Sequence, residues 1–261
     1  MRSHNLGTRA LGLSVVLLLV LSALSPSLNI LGSVKAEPGS VWQSDFVWLV
    51  SGTTAAQARM QEILNAFRFT YTKIDLTSHE VTLSDFVSDG QKKYFGIIFQ
   101  DANDVGPLLD ASEIQAINDS ATIYGLNLIV IEPSQASIKS LLGIKNHQVS
   151  GINPYDKNYR VNFVPNDLLL SFNGSKGERD VTWNYLYNFT VTDATVLATY
   201  NDTQSTHRPF FSVKQQPSGS LCFSVGIDVG NMDEMAGDSR FMPVILMGIA
   251  LRDSVPSYRF M

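Results

Sequence analysis

The chain has 261 residues, of which 44% are hydrophobic and 16% charged, and this composition excludes a wholly disordered chain. Its net charge of −5 lacks the basic surplus of nucleic-acid binders, so we expect no nucleic-acid partner. Cys222 is the single cysteine, which excludes an intrachain disulfide and a cysteine-rich zinc site. Length and composition together predict one or two globular domains.

Residues 1–36 have the layout of a secretory signal peptide. Two arginines precede an apolar run at 11–24, and Ala36 ends a small-residue cleavage site. If the apolar count continues to Gly32, the segment approaches the ~20 residues that cross a bilayer, so an uncleaved N-terminal anchor is the alternative. Either interpretation predicts a secreted or cell-surface protein that meets a membrane only through this segment.

Four Asn-X-Ser/Thr triplets follow the export signal, and in an exported protein they are candidate glycan acceptors. Three of them lie in a polar stretch that we interpret as loops and edge strands, while the fourth lies inside a helical pattern and is the weakest candidate. The three are Asn173, Asn188 and Asn201, and the weakest is Asn118. The sequence therefore predicts a glycoprotein.

Strand and helix patterns then alternate four times. Apolar runs predict strands at 45–50, 70–76, 94–100 and 126–132. Helices are predicted after the turn at 51–54, around 83–87, at 111–124 between an Asp110 cap and a Gly125 stop, and at 137–144. This alternation is typical of a parallel sheet with helices on both faces.

After residue 150 the pattern changes to short strands separated by turn residues. Strands are predicted at 161–165, 194–200, 209–215 and 220–227, followed by a buried helix at 241–252. We therefore predict a single α/β domain over 45–252, with a mainly parallel sheet flanked by helices and an antiparallel C-terminal extension. Residues 253–261 are expected to form an extended tail or the start of a missing domain.

Three segments, 95–101, 125–131 and 211–228, carry a resemblance to a known fold. Their arrangement resembles the class I glutamine amidotransferase-like, or flavodoxin-like, architecture. It is most similar to the trehalose-utilisation-like branch and to the N-terminal domains of some secreted polysaccharide deacetylases. The resemblance implies that a catalytic domain follows the present one, here fused or lost.

Glutaminase chemistry is not expected, because the residues that the resemblance requires are missing. Amidotransferases place a nucleophilic Cys in a tight turn after a central strand, but the comparable turn at 132–136 has none. They also place a His and a Glu late in the chain, where this sequence has Asp228, Asp233 and Glu234 and no His. Both the nucleophile and the base are therefore absent.

The remaining weak candidates for catalysis are acids at the ends of predicted strands. These are Asp101, Glu132 and Asp228, with Gln100 and Asp104 beside the first. Open α/β sheets bind ligands at this edge, and two carboxylates ~5–10 Å apart could act as acid and base in hydrolysis. The alternative is that these acids cap helices and solvate loops.

Other features each have a structural and a functional interpretation. Cys222 lies in the middle of a strand, where a buried, inert thiol is the default. The turn at 51–54 either caps a helix or binds an anion. Trp183, Tyr185 and Tyr187 alternate along the chain and would share one face of a strand. If exposed, they would form a stacking platform for sugars, and if buried, they belong to the core. No metal or cofactor is expected, since the spacing of His79, His147 and His207 fits no metal motif.

These patterns favour an exported, non-catalytic α/β domain that acts as an accessory or ligand-binding module in surface carbohydrate metabolism, with a carbohydrate ligand as partner. One alternative is a carboxylate-dependent hydrolase of an extracellular carbohydrate. The other is a structural cell-surface protein. Residue types alone leave all three functions open.

The export signal gives the first testable prediction. We expect secreted material to begin at Glu37, because cleavage after Ala36 removes the apolar segment. Intact-mass measurement and N-terminal sequencing check this. A membrane-bound product that retains Met1 would support the anchor instead.

Overall fold

The chain was analysed as a computed structural model. It describes residues 44–52, 54–66, 68–149, 159–163, 178–181, 187–201 and 207–226. The export signal with Ala36, Asn173, Trp183, Tyr185, Asp228, the predicted helix at 241–252 and the tail at 253–261 lie outside these residues. Within the described ranges, no helix is long and apolar enough to cross a membrane.

Residues 44–149 form strands and helices in alternation. The strands are β1 (Ser44–Val50), β2 (Tyr71–Asp75), β3 (Val87–Ser88), β4 (Gln91–Lys92), β5 (Tyr94–Gln100), β6 (Asn127–Ile131) and β7 (Ile144–Val149). The helices are α1 (Ala55–Ala66), α2 (Leu83–Phe86), α3 (Ala111–Thr122) and α4 (Ala136–Leu141). The four strands predicted in this region are confirmed as β1, β2, β5 and β6.

The later strands are β8 (Tyr159–Phe163), β9 (Glu178–Val181), β10 (Tyr187–Val191), β11 (Thr195–Asn201), β12 (His207–Gln215) and β13 (Leu221–Val225). One nine-stranded sheet has the order β2-β1-β5-β6-β13-β12-β11-β8-β9. Its first five strands are parallel, whereas β13 and β12 and each later neighbour pair antiparallel. The predicted fold class, a parallel α/β sheet with an antiparallel extension, is therefore confirmed.

The four parallel strands β1, β5, β6 and β13 are buried on both faces, as their continuous apolar sequences predict, whereas the edge strand β2 is only partly buried. Alternate side chains point to opposite faces, so Val47 and Leu49 pack in one core while Phe46 belongs to the other. The first core also contains Ile117 of α3. On the second face, the Phe46 ring makes edge contacts with the rings of two other phenylalanines, Phe69 and Phe95, at centroid distances of 5.4 and 5.7 Å.

Helix boundaries follow local capping groups. The Thr54 hydroxyl accepts the Gln57 N–H at 3.2 Å and begins α1, so the cap expected in the turn at 51–54 is present. Asp110 begins α3 by accepting the Glu113 N–H at 2.9 Å, while the Glu113 carboxylate accepts the Asp110 N–H. Gly125 follows α3 with a positive φ of 76°, as its predicted stop role requires.

The sequence analysis missed several elements. A helical turn at 101–105, closed by a Gly106 N–H to Asp101 oxygen bond, follows β5 directly. The helix predicted at 137–144 ends at Leu141, because Gly143 adopts a φ of 69° and Ile144 begins β7. Strand β7 pairs with β10 in a separate two-stranded sheet, and its polar sequence had concealed it.

Gly96 in β5 allows the two central parallel strands to approach closely. A Cβ atom built there would lie 2.9 Å from the Asn127 backbone oxygen and 3.2 Å from the Asn127 Cβ. The Asn127 side chain itself ties three strands together. Its amide donates to the Phe95 oxygen at 3.3 Å, and its oxygen accepts the Leu221 N–H at 2.9 Å.

We therefore expect Gly96→Ala to lower the free energy of unfolding by about 2 kcal/mol, since backbone atoms cannot rotate away from the added methyl group. Urea denaturation measures the loss. Gly90→Ala is the control, because its Cβ would meet nothing within 4 Å and its cost is confined to the strain of a φ of 73°, about 1 kcal/mol. Equal costs for the two variants would contradict the close approach.

Candidate functional site

Three acidic residues lie at the carboxyl edge of the parallel strands, the edge at which open α/β sheets bind ligands. Asp101 follows β5 directly, Asp104 lies three residues further on, and Glu132 follows β6. All three are buried. The structure thus brings two of the three predicted catalytic candidates, Asp101 and Glu132, to one edge, while Asp228 lies outside the described residues.

Asp101 holds the start of α4. Its Oδ2 accepts the backbone N–H of Ser134 and, at 2.9 Å, that of Gln135. These N–H groups precede the helix and have no partner within it. The amide of Gln135 in turn donates to the Gly106 oxygen. Asp101 therefore does what the alternative interpretation predicted for a strand-end acid, which is to cap a helix.

Burial determines the ionisation of Asp101, whose side chain has no solvent exposure. Desolvation raises the pKa of this carboxyl, and the N–H groups of Gln135 and Ser134 oppose the rise only in part. Its Oδ1 is buried without a hydrogen-bond partner in the described part of the chain and lies where a Cβ on Gly106 would collide with it. The Asp101 carboxyl is thus packed against backbone, with no room for a substrate beside Oδ1.

Glu132 adopts a left-handed backbone conformation, with φ at 52°. The strain of about 1–3 kcal/mol is sustained because both backbone groups are bonded. The Glu132 N–H donates to the Val225 oxygen at 2.8 Å, and the Glu132 oxygen accepts the Ala102 N–H at 3.1 Å. The side-chain Oε2 accepts the Gln100 amide at 2.9 Å. Glu132 therefore occupies the tight turn to which the amidotransferase resemblance assigns a nucleophilic cysteine, but it is 1% exposed.

Asp104 links the end of β1 to α1. Its Oδ1 accepts the Ser51 hydroxyl and, at 2.9 Å, the Gln57 amide. Sequence reasoning missed both partners. Ser51 was considered only as part of a capping or anion-binding turn, and Gln57 had no signal beyond being a polar residue on the buried side of an amphipathic helix.

The cavity at this edge is small. Its volume is about 10 Å³, and its polar lining consists of Gln57, Gln100 and Asp104. A volume of this size holds about one water molecule. Asp101 and Glu132 do not line it. This cavity therefore does not place two carboxylates around a space that could hold a sugar.

The other singled-out groups serve structural roles where they are described. The Gly52 N–H in the turn at 51–54 donates to the Asp75 carboxylate at 3.0 Å, so the chain supplies its own anion there. Cys222 is fully buried, and burial raises the pKa of its thiol to about 11, which makes it inert as a nucleophile. Tyr187, one of the three alternating aromatic residues, is buried rather than exposed.

The described histidines and sequon asparagines are spread over separate elements. The exposed His79 contacts Asp85 at 3.0 Å, and no group of three or more metal-ligating side chains occurs among the residues that the structure covers. Two sequon asparagines lie on strands and one on a helix: Asn188 on β10, Asn201 on β11 and Asn118 on α3. Glycosylation stays a prediction.

No protein-family model matches this sequence, and no curated protein matches it. Solved structures match it in fold. A cold-adapted β-galactosidase from Rahnella sp. R3 has a TM-score of 0.59 and 12% identity, over 82% of this chain and 32% of that one. Agd3, a carbohydrate deacetylase, has a TM-score of 0.56 and 13% identity, and the match covers 78% of this chain and 32% of Agd3.

A β-galactosidase from Bacillus circulans sp. alkalophilus is similar at a TM-score of 0.55 and 11% identity, over 81% of this chain and 31% of that chain. The present chain thus spans about a third of the length of each of these three solved structures. Identities this low show the fold alone. At that level, a deacetylase among these structures agrees with the resemblance inferred from the sequence.

The raised pKa of Asp101 predicts a pH-dependent effect of Asp101→Asn. Folding favours the protonated carboxyl, so its contribution to the free energy of unfolding is full below pH ~4 and is lost as the pH rises through the folded-state pKa. The asparagine variant has no such loss. We therefore expect its stability relative to wild type to improve between pH 4 and 7, by about 1.4 kcal/mol per unit of pKa elevation.

Urea unfolding at a series of pH values measures this difference. Asp110→Asn is the control, because the Glu113 N–H lowers the pKa of Asp110. Its carboxylate stabilises the fold above the ordinary pKa, so this variant loses relative stability as the pH rises from 3 to 5. A difference that does not change with pH for Asp101→Asn would contradict the assignment.

Proposed function

We propose that this protein is an exported, non-catalytic α/β domain that serves as an accessory or ligand-binding module in surface carbohydrate metabolism. The observation that carries the proposal is the structure of the strand-end edge. Asp101, Asp104 and Glu132 are each engaged by backbone or side-chain donors, and the adjoining cavity has room for about one water. Acid–base hydrolysis needs two carboxylates on either side of a substrate.

The fold supports the link to carbohydrates. Solved structures that match most of this chain include a carbohydrate deacetylase and β-galactosidases. In each, the matching region is about a third of a longer enzyme, which is the extent expected of one domain beside others. We infer that the present chain plays an accessory part of this kind.

Export rests on the sequence of residues 1–36. An apolar run after two arginines directs a chain out of the cytoplasm, and cleavage after Ala36 or retention as an anchor then decides whether it is released or tethered. Removal of this segment would leave a net charge of −8, because it contains three basic residues and no acidic one. Such a domain would meet surface glycans, not nucleic acids.

The test is to incubate the full exported chain with a panel of neutral and acidic oligosaccharides and to measure both binding and turnover. We expect binding without release of reducing ends or acetate. Glu132→Gln is the diagnostic variant, since it removes the buried charge while keeping the shape of the side chain.

Turnover that this variant abolishes would show a hydrolase and overturn the non-catalytic proposal. Failure to bind any glycan, together with self-association in sedimentation velocity, would show a structural surface protein instead.

A further inference from the structure

An open groove runs along α4 and reaches, at Lys214, the sheet edge opposite the strand-end acids. Lys214 of β12 lines the groove and pairs with Cys222, near the start of β13. Glu132, in contrast, bonds to Val225 at the other end of β13. The groove has a volume of about 620 Å³, within the range of small-ligand pockets, roughly 300–1,000 Å³. Its walls come from α4, the start of β7, the turn before β11 and β12.

The groove is positively charged although the chain is acidic. Lys139, Lys145 and Lys214 line it together with one acid, Asp193. Lys214 contacts the Asp193 carboxylate at 2.9 Å and holds the pKa of that carboxyl below its ordinary value, so this pair is neutral overall. Lys139 and Lys145 make no ion pair within 4 Å of any described residue, although the charge of Lys139 acts at longer range on Asp101 and lowers the pKa of that carboxyl. The described lining of the groove therefore carries three lysines and one acid in a chain whose net charge is −5.

The negative end of α4 also points toward this region and would oppose an anion if its carbonyl groups were open. The last two carbonyl groups of α4 already accept hydrogen bonds from other elements. The Ser140 oxygen accepts Nζ of Lys214 at 3.4 Å, and the Leu141 oxygen accepts the Gln216 amide at 2.7 Å. The Gly143 oxygen, two residues beyond the end of α4, accepts the Thr192 N–H at 2.8 Å. The repulsive contribution of the helix terminus is thereby reduced.

We propose that this groove binds an acidic oligosaccharide through its carboxylate groups. The inference rests on the proposed carbohydrate function and names the class of ligand. Lys139 and Lys145 supply two ammonium groups for carboxylates, while the hydroxyl groups of Ser140 and Thr192 in the same walls can exchange hydrogen bonds with sugar hydroxyls. A partly exposed groove of this size accommodates a few sugar units and leaves the chain ends in solvent.

Isothermal titration calorimetry tests the proposal with trisaccharides of galacturonate and mannuronate, a neutral maltotriose and inorganic phosphate. The phosphate arm separates an acidic sugar from a free anion. The variant is Lys139→Gln with Lys145→Gln. Its matched control is Lys73→Gln with Lys93→Gln, which removes the same charge at two lysines that do not line the groove. Thermal melting confirms that both double variants are folded.

We expect wild type to bind at least one uronate trisaccharide more tightly than maltotriose, and the groove variant to weaken that binding by about tenfold. The control variant should stay within about twofold, and higher salt should weaken binding because exposed charges are screened. Lys214 is left intact, since its replacement would expose the Asp193 charge and disturb β12.

Uronate binding that the groove variant does not weaken would overturn the proposal, as would phosphate binding as tight as that of the trisaccharides. Tighter binding of maltotriose than of either uronate trisaccharide would overturn this proposal and leave the carbohydrate function standing. Absence of binding to every glycan, including the oligosaccharide panel above, would contradict both the groove proposal and the carbohydrate function.

Discussion

Burial of carboxylates at the carboxyl edge of the parallel strands is the constraint on which the architecture depends. A buried acid without hydrogen bonds costs several kcal/mol, so each must be met by a donor from another element. Asp101 draws in the start of α4, and Asp104 joins the end of β1 to α1. Glu132 ties the turn after β6 to Gln100 at the end of β5. The acids therefore hold this edge together.

The two edges of the sheet consequently differ in chemistry. At the carboxyl edge, negative groups face inward and leave space for about one water. Along α4 and towards the opposite edge, lysines line an open groove, and Lys214 neutralises the one acid in its described lining. The usual expectation that an open α/β sheet binds its ligand beyond the strand carboxyl ends is a rule about topology. The binding that we propose for the groove would depart from this rule.

Local patterns predicted much of the fold, because capping, turns and continuous apolar strands depend on neighbouring residues. The cap at Asp110 and the boundaries of β5 are examples. The positive φ of Glu132 was not predictable, since it is sustained by bonds to Val225 and Ala102 from distant strands. The basic groove was missed for the same reason. Its lysines are scattered along the chain and meet only after α4, β7 and β12 have packed.

The groove lies where the parallel and antiparallel parts of the sheet meet, and this location separates the roles of its lysines. Strand β13 pairs parallel with β6 on one side and antiparallel with β12 on the other. Across that junction, Lys214 and Gln216 from β12 and its turn bond to the last carbonyl groups of α4. Lys214 is thus committed to holding the two parts together. Lys139 and Lys145 make no such hydrogen bond among the described residues, which is why the binding that we propose is tested at these two positions.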